Sequence, residues 1–332
     1  MFKTNFIFLS LFCLSMISYS QIIPITTEDY SLKAYPSKVR YQKFETDTLY
    51  RQIDKRKSFI DDYEITFNEN RKLTSKVNYI DGQKDRYSVV SYNVNKSIDK
   101  EELFEPNGKI VSTVSYNYAY LGRLSEVITV EYPASLGGAN KMVKKETYRW
   151  NKNGQLAEYS IYGDDQSIHK TTEYFYGPQD SLIYTITKYG YNKNVEKTTY
   201  KRDFAFYVSE VVMYRNDSQV RKEVYQRDEN YNIINKKVYN GKNKLTLEYK
   251  MTYDQHGFIT SEIGIDNKGA WALEYYYKYE KDKFFNWTKK TTYDGWEPKY
   301  IEIREITYSN KDHFYDDLKD EDAKKVVRER LE

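Results

Sequence analysis

Apolar and polar residues alternate strictly along parts of the chain, and the clearest example runs from Leu245 to Tyr253. In these nine residues, LTLEYKMTY, every odd position is apolar or aromatic and every even position is polar. A period of two is the pattern of a β-strand with one face towards a core and the other towards water. Residues Leu273 to Tyr279 repeat the pattern. Both stretches predict strands of an antiparallel sheet.

The pattern is less regular near the end of the chain. Between Ile301 and Tyr308 the apolar residues move from odd to even positions near Arg304 and Glu305. A β-bulge inserts one residue into a strand and shifts the alternation in this way. The sequence therefore predicts a bulge or a bend at this point.

A short turn motif recurs between the predicted strands. It consists of an Asx or other polar residue, two further residues, a glycine, one residue, and an aliphatic or aromatic residue. Residues 151–156 (NKNGQL) and 254–259 (DQHGFI) carry it in full, and partial copies occur at 68–73, 105–110, 119–124, 228–233 and 282–287. Glycine adopts positive φ without a Cβ clash, which a tight reversal requires. The predicted structural turn positions are Gly108, Gly122, Gly154 and Gly257.

Two of the copies that lack the glycine have Tyr231 or Phe285 in its place. We expect the adjacent Asn232 or Asn286 to adopt the left-handed conformation there, because asparagine tolerates it well. Further turn signals lie between the main ones, so a reversal recurs along the chain. The predicted fold class is all-β: an antiparallel β-hairpin meander that forms an elongated, twisted repeat sheet, with a short C-terminal helix.

The motif resembles the YD repeat of RHS-family proteins, in which tyrosine and aspartate precede the turn glycine. Tyr253 to Ile259 (YDQHGFI) fits fully, and Trp150 to Leu156 fits with tryptophan and asparagine in the first two places. The resemblance covers about residues 60–310. It implies a strip of successive hairpins at the cell surface or outside it, sometimes described as sugar-binding. Full RHS shells are far longer and end in a core motif that this chain does not have, so toxin encapsulation is not expected.

The first 20 residues have the features of a secretory signal peptide. Lys3 precedes an apolar run from Phe6 to Ile17, and serines occupy positions 18 and 20. The run has 12 residues, fewer than the roughly 20 that a membrane-spanning helix needs. We predict cleavage between Ser20 and Gln21, no transmembrane span in the mature chain, and export to the periplasm or the medium.

Four segments follow from these patterns. Residues 1–20 are the predicted signal peptide, and residues 21–59 are a lead-in or cap with Pro24 and Pro36. Residues 60–310 are the predicted YD-like hairpin repeat domain. Residues 311–332 are rich in charge and predict a surface helix. Capping of the sheet edge is its expected role, with partner binding or a sorting signal as alternatives.

Charge and cysteine content exclude several classes of protein. The 52 basic and 49 acidic residues are interspersed and give a net charge of +3, so the strong positive field that nucleic-acid binding requires is not expected. Cys13 is the only cysteine and lies in the predicted signal peptide. The mature chain therefore has no thiol for a disulfide, a metal or a nucleophile.

Motifs of catalysis and metal binding are not found. The three histidines, His169, His256 and His313, each stand alone, and no HExxH, GxSxG or phosphate-binding loop occurs. Neighbouring acids such as Asp61-Asp62, Asp164-Asp165 and Asp316-Asp317 are interpreted as solvated charges or turn residues. We expect no metal, no cofactor and no enzymatic activity.

Aromatic residues give the remaining clue to function. The chain has 37 tyrosines and four tryptophans. Trp150 and Trp287 flank main turns, where packing is their expected role. Trp271 and Trp296 lie beside secondary turns and are the predicted ligand-binding residues, because exposed aromatic rings bind sugars and peptides by stacking.

Three hypotheses remain open. The first is a non-enzymatic exported repeat protein that acts as an interaction surface for a protein or glycan in the envelope or outside the cell. The second is a carbohydrate-binding module that uses Trp271 and Trp296. The third is a glycoside hydrolase with a carboxylate pair brought together by the fold.

Overall fold

The computed structural model describes residues 26–47, 52–53, 60–132 and 142–309. The predicted signal peptide and C-terminal helix lie outside these ranges. The chain forms two compact units. The central unit contains Glu146–Phe258 and Glu262–Leu273, and the terminal unit contains Ile259–Ser261 together with the described residues before Glu146 and after Leu273. Each unit is described by itself.

Nearly all described residues are in strands, turns or short loops. Ten strands lie within the terminal unit: β1 (Pro36–Asp47), β2 (Gln52–Ile53), β3 (Asp61–Phe67), β4 (Leu73–Ile80), β5 (Gln83–Tyr92), β6 (Ile98–Phe104), β7 (Ile110–Tyr118), β8 (Leu124–Glu131), β20 (Trp287–Asp294) and β21 (Glu297–Tyr308). Eight lie within the central unit: β10 (Leu156–Tyr162), β11 (Ile168–Tyr176), β12 (Leu182–Tyr189), β13 (Val195–Arg202), β14 (Val208–Arg215), β15 (Ser218–Arg227), β16 (Ile233–Asn240) and β17 (Leu245–Tyr253). Strands β9 (Met142–Trp150), β18 (Ile259–Asp266) and β19 (Trp271–Lys281) contribute residues to both units. Short 3₁₀ turns occupy Tyr120–Gly122 and Pro178–Asp180.

Successive strands pair antiparallel within each unit. In the terminal unit this holds from β3 to β8 and from β20 to β21. In the central unit it holds from β10 to β17. The predicted antiparallel sheet is confirmed, and β17 has the predicted limits, Leu245–Tyr253.

Strand β1 lies between β3 and β21. Val39 is opposite Ile65 of β3 on one side and opposite Ile306 of β21 on the other. Strand β1, the first in the described ranges, therefore has a hydrogen-bonded neighbour on each side, and one of these neighbours is β21, the last. The predicted open, elongated repeat sheet is wrong, and with it the resemblance to RHS and YD-repeat proteins. The repeat pattern predicts local hairpins, but it does not specify that β1 pairs with β21.

The predicted bulge in β21 is also wrong. The pairing of β1 with β21 runs without a shift from Lys38 opposite Thr307 to Glu45 opposite Tyr300. The apparent slip arises because Glu302 and Arg304 occupy the same face as Ile306. Both side chains are engaged there, Glu302 by the Tyr41 hydroxyl and Arg304 by the Trp287 ring. Polar residues thus stand at positions that the hydrophobic pattern assigned to solvent.

The turn at Asp254 explains the recurrent motif. The Gly257 N–H donates to the Asp254 carbonyl at 3.0 Å, and the Asp254 N–H donates to the Phe258 carbonyl at 2.8 Å. The Asp254 carboxylate accepts from the N–H groups of His256 and Phe258 at 2.9 Å each. This is a type I turn followed by a left-handed residue, a common connection of β-hairpins. Its Asx side chain satisfies two backbone donors that the turn leaves unpaired.

The residue in the fourth position of this turn has positive φ whatever its type. Gly154 and Gly257 have φ of 83° and 80°, and Tyr231 and Phe285 have 64° and 61°. The prediction that Asn232 or Asn286 takes over this conformation is wrong. The turn's two backbone hydrogen bonds fix the fourth position, and the N–H of Asn232 bonds the turn aspartate.

Tyrosines that precede several of these turns tie one hairpin to the one before it. Each donates its hydroxyl to a backbone carbonyl at the start of an earlier strand, 19 or 20 residues upstream. The pairs are Tyr92 with Leu73 (2.6 Å), Tyr118 with Ile98 (2.7 Å), Tyr176 with Leu156 (2.9 Å) and Tyr253 with Ile233 (3.0 Å). This contact gives the first residue of the sequence motif a structural role.

Candidate functional site

Trp296 lies in the turn between β20 and β21 of the terminal unit. Its side chain is 91% exposed. The ring faces that of Tyr276 on β19, with centroids 6.3 Å apart and planes at 20°. The preceding Gly295 has φ of 59°, and its N–H bonds the Glu274 carbonyl at 2.9 Å. The turn thus presents a flat aromatic surface to solvent.

A carboxylate borders this aromatic pair. The Tyr276 hydroxyl donates to Glu274 at 2.9 Å, and this hydrogen bond raises the pKa of Tyr276. A sugar or a peptide is bound by apolar contact with ring faces together with hydrogen bonds to nearby polar groups. Trp296, Tyr276 and Glu274 provide both kinds of contact.

A charged pair lies close by in the same turn region. The Lys299 ammonium is 2.6 Å from the Asp294 carboxylate and stands over the rings of Tyr275 and Tyr300, at 5.4 and 5.7 Å from their centroids. The hydrogen bond to Asp294 holds the pKa of Lys299 above its usual value. This pair fixes the Lys299 side chain against the strands behind the turn.

Trp271 opens β19 and belongs to the central unit. Its side chain is 66% exposed, and it follows the turn in which the Asp266 carboxylate accepts from the N–H groups of Lys268 and Ala270. Trp287, in contrast, packs against Tyr41 and beneath the Arg304 guanidinium, which lies 3.7 Å from its ring centroid. The two predicted ligand residues are therefore exposed, whereas Trp287 has a packing role.

Several glutamates are buried and held by tyrosine hydroxyls, which the sequence did not indicate. Glu302 accepts from Tyr41 at 2.9 Å and lies 3.2 Å from the Lys290 ammonium. Glu146 accepts from Tyr159 at 2.6 Å and from Tyr148 at 3.1 Å. Buried carboxylates require such partners. The hydrogen bonds make these groups part of the sheet's internal structure.

Glu223 of the central unit is held by three side chains. Its carboxylate lies 2.6 Å from the Arg221 guanidinium and 3.1 Å from the Lys236 ammonium, and it accepts from the Tyr225 hydroxyl. Burial raises its pKa, but the Tyr225 hydrogen bond and the two positive charges outweigh burial, so the pKa is lowered. Glu223 is therefore ionised in the folded protein at neutral pH.

Asp62 corrects the interpretation of the neighbouring acids as solvated. It is buried and forms an ion pair with Arg40 at 2.7 Å. Burial raises the pKa of Asp62 although Arg40 opposes the shift. Asp165 does occupy an exposed turn, where it accepts from Ser167. Asp62 is buried because it lies within β3, and Asp165 is exposed because it lies in a turn. The sequence did not distinguish these two environments.

Within the described ranges, no three His, Cys, Asp or Glu side chains are grouped closely enough to hold a metal ion. The same ranges contain no helix of the length and hydrophobicity that a membrane span requires.

Comparisons with known proteins give a limited result. No protein-family model and no curated protein matches the chain. A porin-like protein from Bacteroides uniformis ATCC 8492 is similar with a TM-score of 0.35 and 12% identity, over 82% of this chain and 98% of that one. A porin-like protein from Bacteroides vulgatus ATCC 8482 gives 0.30 and 13%, over 84% and 100%. TcdB2-TccC3 gives 0.26 and 10%, over 71% of this chain and 17% of that one. TM-scores this low support no statement about function.

Proposed function

We propose that this chain is a non-enzymatic exported protein that binds a partner in the cell envelope or outside the cell through exposed aromatic surfaces. The exposed ring of Trp296 carries the proposal, because the free energy falls when a partner covers an indole ring that is in contact with water. The signal-peptide pattern at residues 1–20 supports export. The buried glutamates support a non-enzymatic role, because internal hydrogen bonds and ion pairs occupy their carboxylates.

A carbohydrate is the partner that the terminal unit favours. The ring of Trp296 presents a flat face, and the Glu274 carboxylate beside Tyr276 is an acceptor for sugar hydroxyls. Trp271 of the central unit is proposed as a further stacking residue on its own turn. A protein partner that uses the same rings is the alternative.

A glycan array with the purified protein from Gln21 to Glu332 tests this proposal. The parent is compared with the single variants Trp296→Ala and Trp271→Ala. Tyr191→Ala, which removes another exposed aromatic side chain of the central unit, is the matched control. Binding that Trp296→Ala loses and Tyr191→Ala retains supports the sugar. Binding that survives both tryptophan variants contradicts the proposed site.

If the parent protein binds no glycan on the array, this result contradicts carbohydrate as the partner. Co-purification from envelope fractions then tests the protein alternative, with Trp296→Ala as the negative control. Release of new reducing ends from any bound glycan, measured over hours, would contradict the non-enzymatic role.

A further inference from the structure

Two neighbouring turns of the terminal unit expose large apolar side chains. Turn 93–97 joins β5 to β6, turn 119–123 joins β7 to β8, and β6 pairs with β7. The hydrogen bond from Tyr118 to the Ile98 carbonyl links the strand ends next to these turns. Val94, Tyr120 and Leu121 are 98%, 88% and 69% exposed. The two tips therefore form one apolar edge.

Both the backbone conformation and the exposure of Leu121 are unfavourable. Its φ of 66° lies in the left-handed region, which is unfavourable for a residue with a Cβ. Its side chain is also mostly exposed, so the fold recovers little by burying it. Unfavourable conformations of this kind concentrate where a binding function requires them.

The backbone of both tips is largely satisfied from within. The Asn93 side chain accepts from the N–H groups of Asn95 and Ser97 at 3.0 and 3.1 Å, and the Lys96 N–H bonds the Asn93 carbonyl at 2.9 Å. In the second turn the Gly122 N–H bonds the Ala119 carbonyl at 3.1 Å. Entry of a peptide segment into an apolar medium is costly unless its polar groups are paired. These tips have met much of that requirement.

The charged residues within the two turns are positive. The two turns, NVNKS and AYLGR, contain Lys96 and Arg123 and no acid. The Lys72 ammonium also reaches this edge, where it donates to the Lys96 carbonyl and lies 5.1 Å from the Tyr92 ring centroid. Apolar tips with basic residues behind them match the boundary between lipid acyl chains and phosphate groups.

We propose that Val94, Tyr120 and Leu121 insert into the surface of a phospholipid membrane, with Lys96 and Arg123 facing the phosphate groups. The attachment is peripheral and involves turns alone. A lipid surface fits better than a protein because single side chains protrude from separate turn tips, whereas a protein interface buries a continuous packed core.

The central unit contains a related tip in turn 203–207, which includes one acid, Asp203. Phe204 is 96% exposed, and Phe206 has φ of 65°. The Asp203 carboxylate accepts from the N–H groups of Ala205 and Tyr207 at 3.0 and 2.9 Å, and Arg202 donates to the Phe206 carbonyl at 2.8 Å. This tip is proposed as a second, separate membrane contact.

Sedimentation with sucrose-loaded vesicles of phosphatidylcholine and phosphatidylglycerol in a 3:1 ratio tests the proposal. The variant Val94→Ser, Tyr120→Ser, Leu121→Gly should bind roughly tenfold or more weakly, because each lost side chain removes apolar area from the lipid contact. Glycine suits the φ of Leu121, so the variant should fold, which a thermal melt by circular dichroism verifies. Phe204→Ser with Phe206→Gly tests the central unit in the same way.

Ile80→Ser is the matched control. Ile80 is 62% exposed and lies at the opposite end of β4 from the proposed edge, so its replacement should leave vesicle binding unchanged. Failure of the parent to sediment with vesicles, or equal sedimentation of the triple variant, overturns the proposal. Self-association of the parent that the triple variant abolishes would assign the edge to a second copy of the chain and also overturn it. Trp296→Ala should not alter vesicle binding, so this result is separable from the glycan experiment.

Discussion

The hydroxyl of Tyr41 donates a hydrogen bond of 2.9 Å to the carboxylate of Glu302, across a separation of 261 residues. Tyr41 belongs to β1 and Glu302 to β21, so the bond reinforces the pairing of these two strands. Both side chains are buried. Burial, together with the neighbouring Glu302 charge, raises the pKa of Tyr41 and keeps its hydroxyl protonated as the donor.

Replacement of Tyr41 by phenylalanine should lower the free energy of unfolding by about 1.5–3 kcal/mol, because a buried carboxylate loses one of its donors. The ring stacking on Tyr63 is retained. Urea unfolding followed by tryptophan fluorescence measures the change. Tyr87→Phe, which keeps a stacked ring against Phe104, is the control and should change stability by less than about 0.5 kcal/mol. Equal effects of the two variants would show that the Glu302 bond contributes nothing specific.

The tyrosine contacts between successive hairpins lead to a second prediction. Tyr118→Phe and Tyr253→Phe should each cost about 1 kcal/mol, since each removes one hydroxyl bond to a backbone carbonyl. The two tyrosines belong to different units and share no partner. Their effects should therefore add in the double variant. A double variant as stable as either single variant would argue against independent contacts.

The conformation of the turn glycine can be separated from its surroundings at Gly257. Its φ is 80°, and no atom beyond its two chain neighbours lies within 4 Å of the position that a Cβ would occupy. Gly257→Ala should thus destabilise the protein by about 1 kcal/mol through backbone strain alone. Gly257→Asn should cost less, because asparagine tolerates the left-handed region. The melting temperatures of the two variants test this order.

A different cause of destabilisation is predicted at Gly190. Its N–H bonds the His169 carbonyl at 2.9 Å, and a Cβ at this position would overlap the carbonyl oxygen of Ile168. Gly190→Ala should therefore cost about 3 kcal/mol, because neighbouring backbone must move. It should be clearly less stable than Gly257→Ala in the same melt. The reverse order would mean that strand ends in this unit adjust easily.

The half-buried Glu101 and the buried Glu223 should respond to pH with opposite sign. Burial raises the pKa of Glu101, although Ser88 and Lys76 oppose the shift. A raised folded-state pKa means that stability falls as pH rises from the unfolded value, about 4.3, through the folded value. Glu101→Gln removes this loss. The variant should be more stable than the parent at pH 7, and the difference should shrink towards pH 4.

Glu223→Gln provides the contrast in the same experiment. The pKa of Glu223 is lowered, so its contribution to stability is present above the unfolded value and is lost as pH falls. The variant should therefore be less stable than the parent at pH 7, with a smaller difference at low pH. Urea midpoints at pH 7 and pH 4 measure both variants. Changes of the same sign at pH 7 would contradict this account of the two environments.

The sequence predicted local features well and distant ones poorly. Alternation located β17 to the residue, and the motif at Asp254 identified a turn whose hydrogen bonds lie within five residues. The partners of Tyr41 and Asp62 could not be predicted, because a strand pattern does not specify which strand lies beside it. The prediction for the turns at Tyr231 and Phe285 was wrong for a related reason. The geometry of the turn outweighs the preference of these aromatic residues for negative φ.

The exposed apolar turns were also missed. Val94 and Leu121 stand in segments that read as ordinary loops, and only their exposure and the positive φ of Leu121 distinguish them. Leucine at the third position of a turn ahead of Gly122 was the available signal. Trp271 and Trp296 were predicted as ligand-binding residues from their positions beside turns, because a large aromatic residue in a tight reversal has few neighbours to pack against.

The pairing of β1 with β21 also determines when the fold can be completed. During synthesis β1 emerges early, but one of its two neighbours is made only about 250 residues later. Until then one edge of β1 has unpaired N–H and C=O groups, which are able to pair with other chains. Contacts between such distant residues form slowly. A chain that ends before Glu297 should therefore keep an unpaired edge on β1 and aggregate through it. Synthesis of β21 is thus required before this edge is protected.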